Sequence, residues 1–200
     1  MKNLGIMDRL MRVLLAEFCV LVAIFWVAEE WQIPLFLIAG VMLLQAGTAS
    51  CGVYTLLGWN SCEKVKRKDR NLMAAFIAIA LLLAVVGSIA SFVMTKNIFL
   101  EDVGGLNDSY SLALQYSGQG QRDEAIDSFG NLNSTWRAFE EKYSKYRPMA
   151  LKFNDNLTIE MNNVSAALAS SKEDIYWGNL TLGHEELLTA GPDIQKMQKE

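Results

Sequence analysis

The chain has 200 residues, 52% of them hydrophobic and 20% charged, with a formal net charge of -4 at pH 7. The charge is unevenly held: residues 1–71 carry eight Lys/Arg against six Asp/Glu, and residues 96–200 carry ten against sixteen. The apolar first half excludes an ordinary soluble enzyme, and the acidity of the second half excludes a nucleic-acid binder, because it would repel phosphates.

Three apolar runs follow one another: Leu10 to Ala28, Ile33 to about Ser50, and Leu72 to Met94. A helix rises about 1.5 Å per residue, so about 20 residues cross a hydrocarbon core about 30 Å thick, and all three runs qualify as spans. The expected fold is all-α: an integral membrane protein with three transmembrane helices and a C-terminal extracytoplasmic bundle of three to four helices. Residues 1–71 form a two-helix module with a basic loop, residues 72–95 the third span, and residues 96–200 the bundle. Lys2, Arg9 and Arg12 precede a first run that is too long for a signal peptide and has no small-x-small cleavage site, so it is expected to stay as an anchor. In the third span Gly87 and Ser91, four apart, form a small pair against which another helix can pack closely.

Orientation follows from the basic residues flanking each span. Lys2, Arg9 and Arg12 lie before the first, and Lys64, Lys66, Arg67, Lys68 and Arg70 lie between the second and third. The first loop holds only Glu29 and Glu30, and Lys96 is followed by Glu101 and Asp102. The expectation is a multi-pass protein of the cell membrane with a cytoplasmic N-terminus and an extracytoplasmic C-terminus.

A second signal agrees with this orientation. Nine Asn residues follow the third run, and five begin an Asn-x-Ser/Thr triplet: Asn107, Asn133, Asn156, Asn163 and Asn179. Chance would give about one. The triplet accepts glycan only outside the cytoplasm, so the excess points to a glycoprotein from an organism with general N-glycosylation, an archaeon or a eukaryote.

The region past residue 96 has no Cys, so helix packing alone must hold it together. Between Gln121 and Tyr146, residues Phe129, Leu132, Trp136, Phe139, Tyr143 and Tyr146 recur at steps of three and four, a heptad-like seam that ends before Pro148. Leu157, Met161, Val164, Leu168 and Ile175 share a face of the next helix, with Asn156 and Asn163 opposite. A shorter helix from about Asp108 to Ser117 precedes these, broken by Gly118 and Gly120. Another follows Asn179 and is expected to stop at Gly191-Pro192. The stretch with Asp123, Glu124, Ala125, Ile126, Leu132, Trp136 and Tyr143 loosely resembles membrane-anchored helical domains of unknown function, a resemblance that implies fold only. Gly120 to Phe129 echoes half of a tetratricopeptide unit without a second copy.

More specific is the N-terminal pattern. Asn3, Gly5, Asp8, Arg9 and Arg12 open the first span, and Cys51, Tyr54, Leu56, Leu57, Gly58 and Cys62 close the second. This Asn-x-Gly-x-x-Asp-Arg-x-x-Arg opening and Cys-x-x-Tyr-x-Leu-Leu-Gly-x-x-x-Cys ending resemble the YgaP-type transmembrane domain over residues 1–62. That family of unknown function is a two-helix inner-membrane module, found alone or fused to other domains, including rhodanese sulfurtransferases. Two residues depart from its pattern: Gly52 stands where Pro usually follows the first Cys, and Glu17 where the span usually begins apolar or Gly-rich.

Independently of any family, Asp8 and Arg12 have the i,i+4 spacing of a helical ion pair with the acid nearer the N-terminus, and Arg9 and Arg12 can snorkel to headgroups. Glu17, about a turn into the span, needs a partner or a proton, and the basic residues at 64–70 are the nearest candidates. Cys51 and Cys62 are the only candidates for chemistry. On one helix they would stand about 16 Å apart, beyond a disulfide, but Gly52 and Gly58 allow the segment to fold back and bring the thiols together at the cytoplasmic face. There they would serve persulfide carriage, soft-metal binding or redox exchange, or else only pack. Cys19, mid-span, is read as packing. His184 has no second His or Cys-x-x-Cys-His motif to complete a metal or haem site. No catalytic motif, metal site or cofactor is implied.

The expected function is non-enzymatic: a membrane-anchored interaction or scaffold protein whose acidic domain meets a protein partner outside the cell. A homo-oligomer through the transmembrane helices is the other association expected. The alternative, implied by the rhodanese-associated resemblance, is an accessory of sulfur or soft-metal handling that uses the Cys51 and Cys62 thiols.

Overall fold

A computed structural model of the chain describes residues 3–61, 70–153 and 156–199. Within them every regular element is helical: α1 (Ile6–Phe25), α2 (Glu29–Thr48), α3 (Gly52–Leu56), α4 (Arg70–Gly118), α5 (Arg122–Lys145), a short 3-10 helix (Met149–Leu151), α6 (Asn156–Tyr176), α7 (Leu180–Leu188) and α8 (Gly191–Met197). The chain forms two compact units, residues 1–93 and residues 94–200.

In the first unit α1 and α2 pair as a hairpin built inside out. Ala16 and Ala23 of α1 and Ala39 and Ala46 of α2, each pair seven residues apart, are buried, whereas the bulky Phe18, Leu37 and Leu44 are exposed. Small residues at the seam let two backbones approach closely, and large apolar residues on the outside suit lipid, where the solvent offers no penalty for Leu or Phe. Trp26 ends α1, and its indole N–H donates to Ser91 Oγ of α4 at 3.0 Å. One turn earlier, Gly87 has the Leu21 side chain so close that an added Cβ would stand 2.9 Å from its Cδ1. The small pair Gly87 and Ser91 is thus the surface that receives α1. Among the described residues two helices, Glu29–Thr48 and Asn71–Gly118, are long and apolar enough to cross a membrane. Charged Asp8, Arg9, Arg12 and Glu17 interrupt α1, all within its first twelve residues.

Three boundaries differ from the sequence expectation. The second helix starts at Glu29 rather than Ile33 and carries Pro34 as its sixth residue, where the missing N–H leaves the Glu30 carbonyl without its i→i−4 donor. The helix expected at Asp108–Ser117 is not separate: α4 continues through it from Arg70. The helix after Asn179 ends at Leu188, just short of Gly191-Pro192, and these two residues also start a further helix, α8, because Pro at the first helical positions gives up only an N–H that has no helical acceptor.

The second unit has a continuous apolar core. It takes Phe99, Val103, Leu106, Tyr110 and Ala113 from α4, and Ala125, Phe129, Leu132, Trp136, Phe139 and Tyr143 from α5. Leu157, Met161, Val164, Ala167, Leu168 and Ile175 come from α6, and Leu180, Leu187, Ile194 and Met197 from the C-terminal helices. Both expected seams are buried, except that Tyr146 is only half-buried. Aromatic rings make the centre: Phe99 meets Tyr143 edge-on at 5.0 Å, Tyr143 meets Phe139 at 4.6 Å, and Phe139 stacks on Trp136 at 5.6 Å. The Trp136 indole N–H is satisfied by Ser165 Oγ at 2.9 Å, and that hydroxyl donates to Glu140 Oε1 at 2.8 Å.

Candidate functional site

The N-terminal motif residues meet at one end of the helical hairpin. α2 stops because Ala49 takes a left-handed conformation (φ 56°), and its freed carbonyl accepts the backbone N–H of both Asn3 and Leu4 at 3.1 Å. Asn3 is buried, and its amide brackets the backbone of Cys51: Oδ1 accepts the Cys51 N–H at 2.8 Å, while Nδ2 donates to the Cys51 carbonyl at 2.9 Å and to Thr55 Oγ1 at 3.0 Å. A side-chain amide, with donor and acceptor side by side, is the group that can pair with one residue's N–H and C=O together. Cys51 then caps α3, which ends in a turn at Gly58 with φ +66°, a conformation costly for a residue with a side chain. The turn sends the chain back: the Ser61 N–H donates to the Asn3 carbonyl at 3.0 Å, and Ser61 Oγ accepts the Gly5 N–H at 2.9 Å. The approach is tight enough that a Cβ on Gly5 would run into the Ser61 carbonyl oxygen.

The charged residues of the motif complete this knot. Arg12 Nε pairs with Asp8 Oδ1 at 3.1 Å, at the expected i,i+4 spacing, and Asp8 Oδ2 accepts from Ser61 Oγ at 3.0 Å. Arg12 also donates to Gln45 Oε1 of α2 and lies over the Tyr54 ring, 5.5 Å from its centre. Arg9 Nε donates to the Ala46 carbonyl, in the last turn of α2, where carbonyls lack helical partners. Tyr54 in turn meets Trp59 edge-on at 5.8 Å. Asp8, Arg9, Arg12, Tyr54 and Gly58 therefore act together as a clasp between the start of α1 and the end of α2.

For the thiols, Cys51 is only 2% exposed, with its backbone held by Asn3. The fold-back that Gly58 allows is present up to Ser61, while Cys62 and the basic residues Lys64, Lys66, Arg67 and Lys68 lie outside the described residues. Cys19 is half-buried in α1. Asn3, Gly5 and Ser61 are the participants that the sequence reading placed least well. The motif gives Asn3 and Gly5 no role of their own, and Ser61, next to Cys62, stands at one of its unspecified positions.

In the second unit none of the five sequon asparagines is buried: Asn156, Asn163 and Asn179 are exposed, Asn107 and Asn133 intermediate. Asn179 caps α7, its Oδ1 accepting the Thr181 N–H at 3.1 Å and leaving the amide nitrogen outward. Asn163 Nδ2 donates to Asp193 Oδ2 at 3.0 Å, whose other oxygen accepts from Lys196 Nζ at 2.7 Å. That contact raises the Lys196 pKa above the usual lysine value. His184 is half-buried, its Nδ1 at 3.0 Å from Ser117 Oγ and its ring seated on Gly118. Asp102 gathers Tyr143 OH and Lys142 Nζ on Oδ2 at 2.5 and 2.6 Å. Burial and the neighbouring carboxylate push the Tyr143 pKa far above that of free tyrosine. These contacts hold helices together and converge on no cavity with reacting groups.

None of the curated proteins and none of the solved structures matches the chain. Residues 1–65 match one family model, described as inner membrane protein YgaP-like, transmembrane domain. The match spans about a third of the chain and coincides with the helical hairpin and its clasp, so this is a membrane protein whose N-terminal part is similar to the YgaP-like transmembrane domain.

Proposed function

We propose that the chain is a three-span, non-enzymatic membrane protein that presents an acidic, N-glycosylated helical bundle outside the cell for interaction with a protein partner. In this reading α1 crosses the membrane together with the two helices that are long and apolar enough to do so. Its charges support the assignment, because Asp8, Arg9 and Arg12 cluster at its start and are mutually or backbone paired, leaving an apolar stretch to Ala28 with Glu17 as its one acid. Trp26 and Trp31, at the other end of the hairpin, and Trp59, near the clasp, stand where aromatic side chains anchor a span at the two interfaces.

The observation that carries the reading is the bundle itself: a closed aromatic core without disulfides, with five sequons all clear of that core. Protein from the native host should carry glycan on at least two of Asn107, Asn133, Asn156, Asn163 and Asn179, seen as discrete additions by intact-mass spectrometry. Asn163 is the poorest acceptor of the five, because its amide nitrogen is already bonded to Asp193. Bare polypeptide mass would count against the extracytoplasmic assignment. The scaffold role is tested by purifying the intact chain in mild detergent: a stoichiometric protein should co-purify with wild type and be lost with Trp136→Ala.

A second reading is favoured by one observation, the return of the chain at Gly58 to Asn3, which itself grips Cys51. In it Cys51 and Cys62 hold sulfane sulfur or a soft metal at the cytoplasmic face as an accessory to a separate sulfurtransferase or transporter. It requires thiols open to reagents from the cytoplasmic side, which the scaffold reading does not.

A further inference from the structure

We propose that the end of α5 and the described part of the connection after it, residues 145–153, dock on the anionic headgroup surface of the membrane in which the chain is anchored. The inference rests on the reading that Leu72–Met94 crosses that membrane. Thr95 is the first residue past that run, and Phe99 lies about 6 Å farther along α4. The headgroup layer is about 5–7 Å deep on each side, so Thr95 to Phe99 begin within it.

The segment is tied to this stretch: the Tyr146 side chain hydrogen-bonds the buried Thr95, and Tyr143 meets Phe99 edge-on. What the segment presents fits a lipid surface. In this acidic unit residues 142–155 hold four of the ten basic residues, Lys142, Lys145, Arg147 and Lys152, against a single acid, Asp155. Beside them Phe153 is 83% exposed, a cost in water that the interface removes. Lys142 and Lys145 have partners in Asp102 and Glu141, and Arg147 bonds Thr158 on α6, so Lys152 and Phe153 are the tip of the surface. Basic residues next to an aromatic one, within reach of headgroups by chain length alone, match the chemistry of an anionic leaflet. They fit an acidic protein less well, which would not need the Phe.

The test uses the full chain in vesicles, with Cys19→Ala, Cys51→Ala and Cys62→Ser and one nitroxide-bearing cysteine at a time. Phe153→Cys is compared with Trp177→Cys, equally exposed at the opposite end of α6, and with Val85→Cys inside the span. Oxygen partitions into lipid and a neutral nickel complex into water, so their collision ratio reports depth. In phosphatidylcholine vesicles containing phosphatidylglycerol, position 153 should show a severalfold higher ratio than 177. That difference should shrink in pure phosphatidylcholine or with Lys152→Glu. A position 153 as aqueous as 177 while 85 reports hydrocarbon would overturn the docking and leave the span intact. An aqueous 85 would overturn the span and the docking together. Protection of 153 from both reagents, unchanged by lipid charge, would place it against protein and also overturn the proposal.

Discussion

At the scale of single residues, the clasp turns a recognisable string of letters into a set of mutual obligations. Asn3 and Cys51 are 48 residues apart, so no local periodicity links them. What the sequence offered was spacing: Asp8 and Arg12 at four, and Cys51 and Cys62 eleven apart with Gly52 and Gly58 between them. The ion pair was legible because helical geometry alone predicts it. The Asn3 bracket was not, because it depends on where Ala49 turns the chain. Its removal has a defined consequence. Asn3→Ala leaves the Cys51 N–H without its acceptor, and a buried unsatisfied donor costs about 1–3 kcal/mol. With Cys19 and Cys62 replaced, maleimide should modify Cys51 in the full chain at least about tenfold faster in the Asn3→Ala variant, since about 1.4 kcal/mol of local opening is a factor of ten. An unchanged rate would show that the bracket does not hold Cys51 in place. Gly5→Ala should act the same way, by pushing Ser61 off.

At the scale of helices, the seams of α5 and α6 were legible because apolar residues at steps of three and four survive any tertiary context, and those positions are the ones that are buried. The continuity of α4 was missed although the same signal was there. Phe99, Val103, Leu106, Tyr110 and Ala113 keep the three-four rhythm across Gly104 and Gly105, so the helix expected to start at about Asp108 is the continuation of the third apolar run. Trp136 sits mid-seam and 3% exposed, so Trp136→Ala should cost about 3–5 kcal/mol, against less than about 0.5 kcal/mol for Lys172→Ala on the outer face of α6. Hydrogen exchange of peptides from residues 122–145 in the intact chain reads both, and equal protection in the two variants would mean that this seam is not the core.

The same helix pair predicts a pH response. Tyr143 has its pKa raised above the ordinary value of 10 by burial and then by Asp102, and Tyr110 and Tyr146 are raised by burial. A raised folded pKa means that the unfolded chain loses its proton first. The contribution is therefore complete below pH 10 and is lost as pH climbs beyond it. The bundle should weaken steadily above pH 10, and Tyr143→Phe, less stable at pH 8 for want of the Asp102 bond, should show a shallower decline because two shifted tyrosines remain. Parallel declines in wild type and variant, followed by the same exchange measurement, would remove Tyr143 from the account.

At the scale of the whole molecule, two patterns with separate physical origins bear on one question, the sidedness of the chain. Lys64, Lys66, Arg67, Lys68 and Arg70 resist transfer across the membrane, whereas the five sequons lie on the far side of the third apolar run. Either pattern alone could arise from a polar surface; their agreement is what supports the proposed cytoplasmic placement of the N-terminus and residues 62–71. The exposed large residues of α2 and of the first part of α4 give the lipid its contact whichever way the chain points, so packing does not decide the matter and labelling must. In a background without Cys19, Cys51 and Cys62, a membrane-impermeant maleimide applied to whole cells should modify Ser144→Cys, which is exposed on α5, and should reach Lys66→Cys only after the cells are opened. Modification of position 66 in intact cells, or failure at 144, would invert or abolish this topology. The glycan prediction would fall with it, since no sequon facing the cytoplasm is an acceptor. Docking of residues 145–153 on lipid would survive an inversion wherever the leaflet they then meet is anionic, because it depends on their distance from Thr95 and on the charge of the headgroups and not on the direction in which the chain crosses.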